Sequence, residues 1–291
     1  MRRLFCLVLG LALCCAAAAK PPVPLLWKAE RGAGTVYLLG SFHLLKSDDY
    51  PLDPALDAVF ADAEKLVFEL PPEALGSPDA PALAQRYARF ADGMTLRGVI
   101  SAQTAERLTK FLGSEAALAA ADPFEPWFMG MNLTVMTLMQ AGFDPTKGLD
   151  LHLMQRSREA NKPASGLETL EQQFQALDSI PLSEQDRMLA DALESPPELR
   201  RRLAELHDYW RAGDAAGLER LLVEEMLEET PVAYSKLLVE RNQQWLPRIE
   251  ALLAEQDDHL VVVGSLHLLG KDGLIEQLQR RGAPVVRVTT E

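Results

Sequence analysis

Two stretches far apart in the chain repeat one pattern. Val36-Tyr37-Leu38-Leu39-Gly40-Ser41-Phe42-His43-Leu44-Leu45 stands near the start, and Val261-Val262-Val263-Gly264-Ser265-Leu266-His267-Leu268-Leu269-Gly270 near the end. Each is a short apolar run that breaks at Gly-Ser-x-His-Leu-Leu. Such a run is too short for an ordinary helix and reads as a buried strand, its Gly marking where the backbone turns or comes close to another group. Both histidines therefore fall at strand carboxyl ends, the edge of an open α/β sheet where ligands bind. Two strand ends of this kind bring two imidazoles to one crevice. A single Gly-x-x-His would read as a core histidine satisfied by a backbone group; the shared hexad turns the reading toward a site.

The first residues carry a different message. Met1-Arg2-Arg3, an apolar core from Leu4 to Cys15 and the run Ala16 to Ala19 form a secretory signal peptide over residues 1–19, with cleavage after about Ala19. All three cysteines, Cys6, Cys14 and Cys15, lie inside it, so the mature chain is expected to hold no disulfide. Leu13 before Cys14 and Cys14 before Cys15 are not the small residue that lipidation wants, which makes a lipoprotein the weaker reading. The expected location is periplasmic or secreted. No later stretch is long and apolar enough for a spanning helix. The 29 basic and 42 acidic residues become 27 and 42 without Arg2 and Arg3, a mature balance of −15. Such a surface repels phosphate backbones and argues against nucleic acid as a partner.

In chain order, Leu25 to Glu30 and Thr35 to His43 read as a hairpin across Arg31-Gly32-Ala33-Gly34. A helix runs from Asp53-Pro54 to about Glu64, and Leu66 to Leu70 is a strand. From about 78 to 256 the composition turns to Ala, Leu, Glu, Gln and Arg at helical spacing, with a strand signal only near Ala164 to Leu167. Continuous helices are expected at Ala215 to Glu228 and Val232 to Ala254, among others. The Met-rich run Phe128 to Met139 is assigned to core. The second hexad, a helix from Leu274 to Arg281 and a strand at Ala283 to Val288 close the chain as a βαβ-like unit. The expected class is α/β: one domain over 20–291, with a mixed central sheet formed by the two ends of the chain and a large, mostly helical insertion.

Three further positions ask for an explanation. Glu69 sits inside Val67-Phe68-Glu69-Leu70, where a carboxylate is costly to bury unless paired or bound to a cation; on an edge strand it would simply face water. Glu168 ends a second short strand, yet Thr169 and Gln172 have capping-box spacing, which would make Glu168 only the residue before a helix. Arg241-Asn242 lies late in a long helix ahead of Trp245, either solvated or turned inward as a bidentate clamp for a substrate carboxylate. Asp150, at the start of a helix after Lys147-Gly148, is placed to cap or to accept a hydrogen bond. His152, His207 and His259 receive no role.

His43, His267 and Glu69 have the make-up of a two-histidine, one-carboxylate metal site. A divalent ion there would lower the pKa of bound water and polarise a scissile carbonyl, with Glu168 as general base. No Gly-x-Ser-x-Gly, Walker loop, dinucleotide fingerprint or His-Glu-x-x-His is present, and Ser41 and Ser265 read better as turn packing than as nucleophiles.

These residues resemble the TraB/GumN family, a group that includes the Tiki metalloproteases. The matching positions are the two Gly-x-x-His motifs, Val67-Phe68-Glu69-Leu70, Lys147-Gly148-Leu149-Asp150, Gly166-Leu167-Glu168-Thr169 with Glu171-Gln172, Arg241-Asn242 with Trp245, and Gly270-Lys271-Asp272-Gly273-Leu274. The likeness runs in order along the whole mature chain and is nearest the bacterial GumN-like branch. It implies a fold shared with erythromycin-esterase-like (EreA) and ChaN-like proteins. From the Tiki branch it implies peptide hydrolysis dependent on manganese, cobalt or zinc; other relatives are linked to peptide pheromones and to haem-iron uptake.

The expectation is a secreted or periplasmic metal-dependent hydrolase acting on peptides or protein amino-terminal segments. His43, His267 and Glu69 are assigned to metal, Glu69, Glu168 and Arg241 to catalysis, and Arg241, Asn242 and Asp150 to substrate binding. The alternatives are a peptide- or haem-binding protein of the envelope without turnover, and a structural pair in a protein that acts through its acidic surface.

Overall fold

The computed structural model describes residues 20–289 apart from 33, 75 and 92. The expected signal peptide and its three cysteines lie outside the described residues. A six-stranded sheet forms the centre: β1 (Leu26–Glu30), β2 (Thr35–Ser41), β3 (Lys65–Phe68), β4 (Ala164–Gly166), β5 (His259–Gly264) and β6 (Val285–Arg287), in the order β4-β3-β5-β2-β1-β6. The chain is α/β with a mixed sheet and a helical insertion, as the pattern of short apolar runs and long helical spacing requires.

β4, β3, β5 and β2 run parallel, so their carboxyl ends share one edge. β1 folds back on β2 as the expected hairpin, and β6 adds to its far side. The last unit therefore does not pair β6 with β5: the chain passes over two strands before it rejoins the sheet. The interior strands are apolar throughout because both faces are covered; β2 is buried from Val36 to Ser41 and β5 from His259 to Val263. Val36 pairs with His259 and Ser41 with Gly264, so the two hexads leave the sheet side by side.

Most of the helical section packs on this sheet through one large apolar cluster; a second cluster of Leu96, Leu108, Leu118, Leu133 and Leu189 holds part of the insertion to itself. Two expected helices are not continuous. The first is interrupted by a π-helical turn at Glu219–Val223 and the second by another at Ser235–Val239. A π turn carries one residue more per hydrogen-bonded loop than an α turn, which helical periodicity over a long window absorbs unnoticed. Two short helices, Leu96–Val99 and Glu115–Ala121, were also illegible in the spacing. The Met-rich helix, Pro126–Gln140, is only partly core: it buries Trp127, Leu133 and Leu138 but leaves Met131, Met136 and Met139 exposed, a correction to the core assignment.

Candidate functional site

Four parallel strands each deliver one ionisable residue just past their ends. His43 follows β2, Glu69 follows β3, Glu168 follows β4 and His267 lies in a short 3-10 turn after β5. Gly264 is the floor on which they meet. A Cβ added there would come within 3.2 Å of Glu69 Oε1, 3.3 Å of His43 Nε2 and 3.7 Å of His267 Cδ2. The φ of Gly264 is an ordinary −52°. What glycine supplies is room, together with an N–H that donates to Glu69 Oε1 at 2.6 Å.

Arg241 sits behind this floor, 9% exposed, and stacks over Trp245. Its guanidinium donates to both oxygens of Glu168 (3.1 and 2.6 Å), to Glu69 Oε2 (2.6 Å), to the Leu237 carbonyl (3.0 Å) and to His267 Nε2 (2.9 Å). A guanidinium has five N–H donors, and these five contacts use them all. The inward orientation expected for Arg241 is therefore present, but the clamp grips the chain's own carboxylates. A substrate carboxylate would have to displace one of them.

Glu168 directly precedes a capped helix and is also turned inward. Thr169 and Gln172 form a reciprocal capping box, and Glu168 is buried against Arg241. Burial raises the Glu168 carboxyl above its usual range, while the Arg241 contacts oppose the rise. Glu69 goes the other way: burial works against its charge, but the neighbouring His267, Arg241 and His43 and the Gly264 N–H outweigh it and hold the carboxyl down to about 2. Gln173 bridges the pair, donating to Glu69 at 3.3 Å and Glu168 at 3.2 Å.

The two histidines have different partners. His267 is buried; its Nδ1 donates to Asn242 Oδ1 at 2.7 Å, which leaves Nε2 to accept from Arg241. Burial first, and then the positive Arg241, lower this ring to about 3. Asn242 spends its amide nitrogen on the His267 and Asp272 carbonyls, so this residue, expected on the substrate side, holds His267 in place instead. Asp150 is likewise turned to a histidine. Its Oδ1 meets His43 Nδ1 at 3.2 Å and accepts from Ser41 Oγ at 3.0 Å. Desolvation lowers the basicity of His43, but the side chain exposes 55% of its surface and that penalty is outweighed by the Asp150 hydrogen bond and charge, with Glu69 behind them. The ring is held up to about 9.

His43, Glu69 and His267 have the donor chemistry that manganese, cobalt or zinc would take, but in this arrangement they do not fit an ion. Both nitrogens of His267 are engaged, Glu69 Oε2 is held by Arg241 and Oε1 by Gly264. His43 Nε2, close to the space over Gly264, is the one ring nitrogen of the pair without a side-chain partner. Among the described residues, no three His, Cys, Asp or Glu side chains stand together ready to share an ion.

The polar centre opens on a cavity of about 530 Å³ whose walls include His43, Glu69, Arg241 and His267. Met131, read as core, stands at this cavity, as does Leu222 on the first π turn. The signal that could have marked them was the density of Met and Leu on Pro126–Gln140 and on the segment around Glu219–Val223, helices separate from the one that carries Arg241.

The chain is 24% identical over 248 residues to the uncharacterized protein YbaP of Escherichia coli strain K12, covering 84% of this chain and 87% of that one, and matches YbaP of Shigella flexneri to the same extent. No solved structure matches it. Among the described residues, no helix is long and apolar enough to cross a membrane. The family model for TraB/PrgY/gumN matches residues 25–287, from the first strand of the hairpin to the last strand of the sheet, and the chain belongs to that family.

Proposed function

We propose that the chain is a hydrolase of peptides or protein amino-terminal segments, working in the periplasm or outside the cell, with His43 and Asp150 as its proton-transfer pair. One observation carries this reading. His43 reaches the cleft with Nε2 toward the space over Gly264, while Asp150 fixes the other ring nitrogen. In its unprotonated form the ring takes a proton from water at Nε2 as the water oxygen bonds to the carbonyl carbon. The same proton passes to the leaving nitrogen as the C–N bond breaks. Asp150 stabilises the imidazolium between those two steps. Arg241 acts as a fixed positive charge beside Glu69, and its position on the cavity wall favours negative charge developing on the carbonyl oxygen. The leader-like residues 1–19 support export.

The expected divalent ion could bind here only once Arg241 withdraws from His267 and Glu69. Purified protein assayed on a peptide library, with chelator and separately with Mn²⁺, Co²⁺ or Zn²⁺, tests the reading. Cleavage that falls at least 100-fold in both His43→Ala and Asp150→Asn is the expected result. No cleavage under any of these conditions overturns it. A second reading, capture of a peptide or haem-like ligand without turnover, draws on the five committed N–H groups of Arg241, which leave no free donor for an oxyanion. A peptide recovered intact from a tight complex, or a shifted haemin absorbance, would favour it.

A further inference from the structure

The polar centre is a junction between two apolar lobes. The larger is the cavity of about 530 Å³, walled by Phe42, Leu138, Leu177, Leu218, Leu222 and Met226. The smaller, about 280 Å³, is walled by Phe68, Leu70, Pro145, Leu151 and Met154. Ser41, His43, Leu44, Glu69 and Gln173 line both. The larger lobe falls within the roughly 300–1,000 Å³ of pockets that enclose small organic ligands, and the smaller just below it.

The wall of the larger lobe is built by the two π turns. Leu222 comes from Glu219–Val223, and Leu237 and Leu238 from Ser235–Val239. Each turn inserts one extra residue into a helix that would otherwise continue, and such insertions concentrate at functional sites. That both line one cavity, with Arg241 two residues after the second, ties the shape of the lobe to the polar centre.

We propose that this cleft selects peptides with bulky apolar side chains on both sides of the bond presented to His43. The proposal rests on the hydrolase reading and names its substrate class. In an extended chain successive side chains point to opposite sides. A bond at the junction therefore sends one flanking side chain into each lobe. A fatty acyl chain would fill one lobe and leave the other wet, so two apolar lobes about one polar bridge favour a peptide. The unequal volumes assign the larger flanking residue, aromatic or long aliphatic, to the Leu222 side and a residue of Val or Leu size to the Met154 side.

The test uses quenched fluorescent peptides of one length whose central pair is Leu-Leu, Leu-Ser, Ser-Leu or Ser-Ser. For the wild-type protein, kcat/KM is expected to fall at least 10-fold for each Leu replaced. Leu222→Trp should bring the Leu-to-Ser rate ratio at one side of the bond toward one while keeping the ratio at the other side, and Leu151→Trp should do the reverse. Where Leu222→Trp does not fold, Met131→Trp at the same cavity serves. Equal rates on all four peptides, or preferences that neither filling variant moves, overturn the proposal, as does cleavage confined to long-chain acyl esters. Binding of the same peptides to the His43→Ala protein, followed by fluorescence anisotropy, separates the two levels. Apolar-selective binding lost in Leu222→Trp, with no cleavage by the wild type, keeps the ligand class and discards the hydrolase reading.

Discussion

Two copies of Gly-Ser-x-His-Leu-Leu put one residue type into opposite electrostatic settings. His43 meets a carboxylate, stays half in the cleft and is held up to about 9. His267 meets an amide and a guanidinium, is buried and is held down to about 3. The six residues are the same but for Phe42 and Leu266; the partners come from Asp150 on one distant helix and Asn242 on another. The motif places the two rings, and the rest of the chain decides what each can do. One local sequence can thus supply a carboxylate-paired ring at the cleft and a buried, neutral one beside it.

The largest expected effect comes from removing the group that separates the two. Arg241→Ala leaves Glu69 and Glu168 buried without their common cation, and urea denaturation should show a loss of about 3–5 kcal/mol. The same change frees Nε2 of His267 and Oε2 of Glu69. Calorimetric titration with Zn²⁺ should then detect binding at least 10-fold tighter than to the wild type, and addition of His43→Ala should remove the gain. Equal affinity in wild type and Arg241→Ala would break the idea that Arg241 keeps an ion out.

Next in size is Gly264→Ala. The added carbon at 3.2 Å from Glu69 Oε1 and 3.3 Å from His43 Nε2 pushes apart the groups that the two histidine segments share. Overpacking of this kind costs about 1–3 kcal/mol, and the cleavage rate should fall with it. Unchanged thermal stability and activity would show that the floor is softer than described.

A partner exchange sharpens the comparison with smaller changes. Asp150→Asn should let His43 fall from about 9 toward the ordinary imidazole value near 6.5, and Asn242→Asp should raise His267 from about 3. Ring-proton NMR titrations read both directly. If either histidine keeps its wild-type value, the named partner is not what sets it.

The smallest effect concerns a second aspartate–histidine pair that lies off the site. Asp49 is fully buried, accepts from His207 Nε2 at 2.9 Å and pairs with Arg211. Burial opposes its charge, but the His207 and Lys46 hydrogen bonds and Arg211 lower the carboxyl below its usual value. A carboxyl depressed in the folded state adds stability that is full above the unfolded pKa, near 4, and is lost as pH falls through the folded value. Acid unfolding of the wild type should therefore steepen below about pH 4, and Asp49→Asn should flatten that limb while leaving the cleavage of peptides at pH 7 within about two-fold, as expected of a surface-independent structural pair.

The parallel strands, the hairpin and the shared edge were legible because each rests on a local signal: an apolar run, a Gly-containing connection, a residue just beyond a strand. Glu69 and Glu168 could be read from position alone. The contacts that give them meaning could not. His43 and Asp150 are 107 positions apart, and Arg241 and Glu69 172. Nothing in the spacing of Arg241-Asn242 says that five donors are consumed internally or that the asparagine faces a histidine. The π turns escaped for a different reason. One extra residue in a helix of Leu and Glu leaves the average period almost unchanged, yet the second of these turns carries Leu237 and Leu238, which line the cavity.

The strand that carries the second hexad lies between β3 and β2, in the middle of the sheet, although it is among the last parts of the chain to be made. A nascent chain lacks its central strand. It has no floor at Gly264 and no place for Glu69 and Arg241 to meet. Contacts this distant in sequence form late and slowly. The machinery is in effect time-locked: the site cannot be complete until the synthesis of its own chain is finished.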